Sequence, residues 1–344
     1  MKKLLFPLLA SCLLLASCDI VEFKNSGSTS GTEPRWGEVS ITLAQDHASL
    51  STRSTTQASE SEVNSLQVLI YNASGNLVAY ASGTSGTLSA KVPLNVSGHV
   101  VYAVTNVSED LSLCSTPSDL TSKMSYLRDN SLNGLQMIGS VDNQTFTSGS
   151  TVNVEVRRFA AKVEIDQIVT EFTAASHRSQ PFVVTGIYLI NVNGSCPFSQ
   201  LAAPGTWYNQ MQYVSGECNA LIADKFNSPV TIQDASGHVT PYTRKHYFYC
   251  YPNPTTTDAH RGSWTPRRTR LVVETKLGER VYYYPIDIVG SGNSLNMNTF
   301  YLVTKLTITG PGADHPDDLL DNGTVSFTVT VTNWQNGFTK EVTY

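Results

Sequence analysis

The chain has 344 residues, long for one domain and comfortable for two. Charged residues make up 15% of it, while 16 Tyr and 15 Pro stand among abundant Thr, Ser, Val and Asn, the palette of a β protein. A hydrophobic content of 40% excludes a largely disordered chain, and a net charge of −5 provides no polyphosphate-binding surface, so nucleic acid is excluded as an expected partner.

Lys2 and Lys3 precede an apolar run from Leu4 to Ala16. The run is too short to span a bilayer and has the layout of a secretory signal over residues 1–17. It closes on Leu15-Ala16-Ser17-Cys18, which resembles a bacterial lipobox. That resemblance implies cleavage between Ser17 and Cys18, a diacylglycerol on the Cys18 thiol, and a precursor held at the outer membrane by its lipid. Residues 19–32 read as a flexible tether.

In Gly37–Ala44, Val39, Ile41 and Leu43 alternate with Ser40 and Thr42, the pattern of a half-buried strand. Residues 45–62, poor in large apolar side chains and rich in Ser and Thr, read as an exposed loop with Arg53 in its middle. From Val63 short strands follow one another, which predicts an all-β sandwich. They cover Ser65–Tyr71, a Gly75-containing turn, Leu77–Tyr80, Thr87–Leu94 and His99–Thr105. One short helix interrupts them, capped by Thr116 with Pro117 at its first position, and Leu120, Met124 and Leu127 supply its apolar stripe.

Val152, Val154 and Val156 alternate up to Arg157-Arg158, and a second alternating run, Ala161, Val163 and Ile165, begins at once. A domain junction is placed there, giving domains 54–157 and 158–344. Strands of the second are expected over Phe182–Val192, His246–Tyr251, Leu271–Thr275, Val281–Ile286, Phe300–Ile308 and Val325–Thr332. Decorated loops fill 193–244 and 252–267.

Several stretches together resemble the Bacteroidales fimbrillin family of type V pilus subunits, over nearly the whole chain after residue 36. They are Glu62-Val-Asn-Ser-Leu-Gln-Val-Leu-Ile-Tyr71, Arg158-Phe-Ala-Ala-Lys-Val-Glu-Ile165, and Tyr283-Tyr-Pro-Ile286. Asn298-Thr-Phe-Tyr301 leading to Thr307-Ile-Thr-Gly310, and Val325 to Trp334, complete the set. The resemblance implies two transthyretin-like β-sandwich domains and polymerisation by donor-strand exchange. A lipidated precursor is cut by an arginine-specific protease, its first strand departs, and a strand of another subunit enters the vacated groove.

On that scheme Arg53 and Ser54 flank the cut, and residues 18–53 are a lipidated propeptide whose removable strand holds Val39, Ile41 and Leu43. Residues 1–53 hold five basic residues (Lys2, Lys3, Lys24, Arg35, Arg53) and five acidic ones (Asp19, Glu22, Glu33, Glu38, Asp46), so cutting changes packing and not charge. Val325, Phe327, Val329 and Val331 read as a strand of the second domain, with Trp334 at its edge. Beyond it, Phe338, Val342 and Tyr344 are separated by even numbers of residues and so share one face of an extended strand, which fits either a donor segment or a tail completing its own sheet.

The remaining polar clusters are read as surface. Asp314-His315-Pro316-Asp317-Asp318 carries carboxylates around a His without a recognised cation-ligand spacing, and is expected to be a solvated loop. Arg261, Arg267, Arg268 and Arg270, interleaved with Trp264, could stack on a sugar but fit a charged surface loop. Cys114, Cys196, Cys218 and Cys250 are expected as buried thiols or one bridge between Cys196 and Cys218. No sequence motif of an enzyme, metal site or cofactor is present, so catalysis, metal and cofactor are not expected. The partners expected are other fimbrial subunits, the protease and a host or bacterial surface ligand. The alternative reading is a fimbrial anchor or a stand-alone glycan-binding surface lipoprotein.

Overall fold

Strand-forming sequence follows hydrophobic alternation through most of the chain, and in the computed structural model it folds into two β-sandwiches. Residues 34–44, 60–200, 205–290, 292, 294–320, 323–334 and 339–343 are described, 333 and 339–343 by their backbone alone. The leading strand, Trp36–Ala44, lies in the middle of a three-stranded sheet between Thr87–Pro93 and Thr151–Glu155. Facing it is a five-stranded sheet in the order Leu77–Gly83, Leu66–Tyr71, His99–Thr105, Met137–Gln144, Arg157–Arg158.

Every residue of Leu66–Tyr71 is buried because both faces of this sheet are covered. Leu66, Val68 and Ile70 join the core under the leading strand, while Leu69 and Tyr71 join a larger core that continues into the second sandwich. Asn72–Asn76 makes the expected turn, with Gly75 at φ 78° and its N–H donating to the Asn72 carbonyl at 2.9 Å.

In the second sandwich one sheet runs His246–Cys250, Ala161–Ile165, Thr299–Ile308, Val325–Asn333, Thr339–Thr343. The opposed sheet runs Ala223–Gln233, Phe182–Ile190, Arg270–Leu277, Arg280–Asp287. Val329 is fully buried between them, and Val325, Phe327 and Val331 pack on the same core.

Three expectations need correction. The helix covers only Pro117–Thr121: Thr116 caps it, with the reciprocal Asp119 contact, but Met124 leaves it for a short strand paired with Ser195–Pro197, and Leu127 starts a 3-10 turn. Two further one-turn helices occur among the described residues, at Ala175–Arg178 and Asn219–Ile222. Met137–Gln144, for which no element is expected from sequence, and Ala223–Gln233, expected within a decorated loop, are both strands. The second carries Pro229 and pairs on one side only, and both carry irregular register that breaks their alternation.

Candidate functional site

The leading strand fills a slot between two neighbouring strands. Its register with Thr87–Pro93 is antiparallel from Trp36 opposite Pro93 to Thr42 opposite Thr87. With Thr151–Glu155 it is parallel from Ser40 opposite Thr151 to Ala44 opposite Glu155. The Ser40 N–H donates to the Ser150 carbonyl and the Leu43 N–H to the Gly86 carbonyl, both at 2.9 Å.

Val39 is 1% exposed, Ile41 0% and Leu43 7%, so the three predicted inward residues are the buried ones. Each side chain so buried contributes about 1.5–3 kcal/mol. Three of them approach the whole stability of an ordinary domain, so the slot cannot stand empty without large cost. Removing a middle strand also exposes the edges of two neighbours at once, whose N–H and C=O groups then need a new partner.

Downstream of the leading strand the chain is next described at Glu60, which is anchored in the second sandwich. Glu60 Oε1 accepts from Lys162 Nζ at 2.8 Å and from the Tyr249 hydroxyl at 2.6 Å. Arg158 Nε donates to the Glu60 carbonyl at 3.1 Å and its Nη2 to Ser61 Oγ at 2.8 Å, while its guanidinium lies 4.5 Å from the Trp334 ring centroid. Trp334 stacks on Tyr249 at 6.0 Å, and its N–H donates to the Asn298 carbonyl at 3.0 Å. The stretches beginning at Arg158 and Asn298 and the one ending at Trp334 thus converge on the residues just before Glu62.

Of the other expected site residues, Ser17, Cys18, Arg53, Ser54, Phe338 and Tyr344 lie outside the described residues, as does the side chain of Val342. The backbone of Thr339–Thr343 pairs antiparallel with Val325–Asn333 at the sheet edge, Val342 opposite Val329. The chain's own tail therefore completes its own sheet in this structure.

The acidic and arginine loops, read separately as solvated surface, are each other's partners. Asp317, fully buried, accepts from Arg267 Nη1 at 2.6 Å and Arg270 Nη1 at 2.9 Å, and both arginines are buried. Arg270 also meets Asp287 at 2.7 Å, and Asp318 pairs with Arg261. Sequence missed this because no local pattern reports that residues about fifty positions apart share a buried charge pair. Beside them His260, Arg261, Arg280, Tyr282, Asp314 and Asp318 line an open cleft of about 750 Å³.

Cys114, Cys196, Cys218 and Cys250 are all free thiols, so the Cys196–Cys218 bridge does not form. Burial pushes Cys196 up to about 12 and Cys218 up to about 11, and raises the other two, which suppresses the reactive thiolate.

Residues 38–173 match the family described as the major fimbrial subunit protein (FimA). No curated protein sequence matches the chain. Among solved structures, a candidate cell adhesion protein of Bacteroides eggerthii is 15% identical with a TM-score of 0.66, covering 88% of this chain and 97% of its own. A fimbrilin of Porphyromonas gingivalis is 14% identical, TM-score 0.59, over 87% of this chain and 97% of its own. The tip fimbrial protein Mfa3 of Porphyromonas gingivalis, truncated at its C-terminus, is 14% identical, TM-score 0.53, over 87% and 100%. The family match begins inside the leading strand and runs through the first sandwich into the second, and the fold shared with these structures extends over most of the rest.

Proposed function

We propose that the chain is a stalk or tip subunit of a cell-surface fimbrium, exported as a precursor lipidated at Cys18, cut after Arg53 and joined to other subunits by strand exchange. The match of residues 38–173 to the fimbrial subunit family supports other fimbrial subunits as its partners and the cell surface as its place. The observation that carries the finer reading is the position of Trp36–Ala44 as a middle strand, covalently tied to the rest only through residues 45–59.

A cut in that linker separates the strand without touching Glu60, whose anchor holds the start of the remaining chain. The vacated slot then offers two unpaired strand edges and three apolar pockets, which an alternating strand of another subunit satisfies. Its role is structural, in adhesion, without catalysis. Amino-terminal sequencing of protein from assembled fibres should begin at Ser54, and Arg53→Ala should leave a longer species outside the fibre. A sequence beginning at acylated Cys18 in assembled fibres would overturn this reading in favour of an anchor.

A further inference from the structure

The strand His99–Thr105 on the floor of the slot carries a buried polar side chain at each end, His99 at one and Thr105, opposite Leu66, at the other. His99 opens its strand, and alternation places its side chain on the face of Val101 and Ala103, which share a core with Val39, Ile41 and Leu43. The His99 ring lies 4.9 Å from that of Phe146, a member of the same core, and His99 is 0% exposed. Its Nδ1 is 3.0 Å from the Val96 carbonyl oxygen. A carbonyl only accepts, so Nδ1 carries the proton, and in the neutral ring Nε2 is left as an acceptor. That Nε2 is buried without a hydrogen-bond partner.

The topology identifies the part of the leading strand at this end. Pro93 stands opposite Trp36 and Val92 opposite Gly37; the chain then turns through 94–98 and enters the facing sheet at His99. Alternation from Val39 makes Gly37 the inward position there, and it offers no side chain. A Cβ at Gly37 would meet Leu94 Cδ1 at 2.7 Å, the movable tip of a side chain. The resident strand therefore leaves the His99 Nε2 unanswered.

We propose that His99 is a specificity residue of the slot, selecting a strand of another subunit that carries Ser, Thr or Asn two residues before its first buried apolar residue. This rests on the strand-exchange reading. A hydroxyl or amide there donates to Nε2, whereas an ionised Asp or Glu has no proton to give. A strand making the bond relieves a buried unsatisfied acceptor, so it outcompetes the resident strand and gives the exchange a direction.

Two experiments test it. In the full chain carrying Leu94→Ala, Gly37→Ser should raise the folding equilibrium constant about tenfold with His99 present, and not in a His99→Phe background. Equal effects in the two backgrounds would overturn the proposal. In full-length protein cut at Arg53 alone, verified by mass, labelled nine-residue peptides copying 36–44 should enter the slot about tenfold more tightly with Ser than with Gly at the second position. Asp there should give no gain, and His99→Phe should erase the preference. Equal Ser and Gly affinities would reject the His99 role while leaving strand exchange standing. Entry of no peptide would reject strand exchange, with the His99 contact then decided by the intact-chain comparison.

Discussion

Glu60 and Lys162 form an ion pair of 2.8 Å with side chains 1% and 4% exposed, joining the segment that enters the first sandwich to a strand of the second. Removing one partner of such a pair strands the other charge away from water, at about 3–5 kcal/mol. Lys162→Met should lower the denaturant midpoint by that order. Lys162→Met combined with Glu60→Gln should lose less than the two single changes added together, and strict additivity in the double-mutant cycle would contradict the coupling.

Ile41 is fully buried at the centre of the leading strand. Ile41→Ala should cost about 2–5 kcal/mol in the uncut protein. After a cut at Arg53, release of the residues upstream should accelerate, read by gel filtration of the cut protein. Ser40→Ala, on the opposite face, should alter neither quantity measurably.

Asp317 and Asp314 lie three residues apart in one loop and should behave differently. Asp317→Asn removes the charge facing two buried guanidinium groups and should destabilise by about 3–5 kcal/mol. Asp314, paired with Arg280 where both side chains are more than half exposed, should leave the melting temperature unchanged when made Asn. Equal sensitivity of the two positions would contradict the burial assigned to Asp317.

His246 is buried, with Nδ1 3.0 Å from Asp224 and Nε2 2.6 Å from the Tyr242 hydroxyl. Desolvation lowers its pKa, outweighing the attraction of Asp224, and Arg244 acts in the same direction as desolvation. The unfolded ring takes up a proton near the ordinary 6.5 while the folded ring resists it, so the unfolded state binds more protons as pH falls. Stability should decline from pH 7 toward pH 5, and His246→Gln should flatten the melting temperature over that window. An unchanged slope in the variant would remove His246 as its source.

Deletion of residues 338–344 separates the two readings of the tail. The tail holds its sheet from one side only, through Thr339–Thr343. As a donor segment, its loss should leave the monomer melting nearly as before and stop polymerisation of cut protein. Unfolding of the monomer would assign the tail to its own sheet, and unhindered polymerisation would place the donor elsewhere.

What the sequence determined by itself is what local periodicity encodes. Val39, Ile41 and Leu43 alternate because one face of their strand meets a core, and that reads directly as burial; so do Val325 to Val331, and so does the Thr116 cap with Pro117. Helix extent failed where the spacing of Leu120, Met124 and Leu127 fitted a helix by chance, and Met137–Gln144 was hidden by its irregular register. Tertiary structure alone decided which charges are buried. Arg267, Arg270 and Asp317 look like surface in a row of residues, because a charge is tolerated inside only when its partner arrives from elsewhere in the chain. The same holds for Glu60 with Lys162, and for the bare nitrogen of His99. The middle position of the leading strand was equally invisible, since its two neighbours come from residues 87–93 and 151–155, and pairing partners leave no mark on a strand's own sequence.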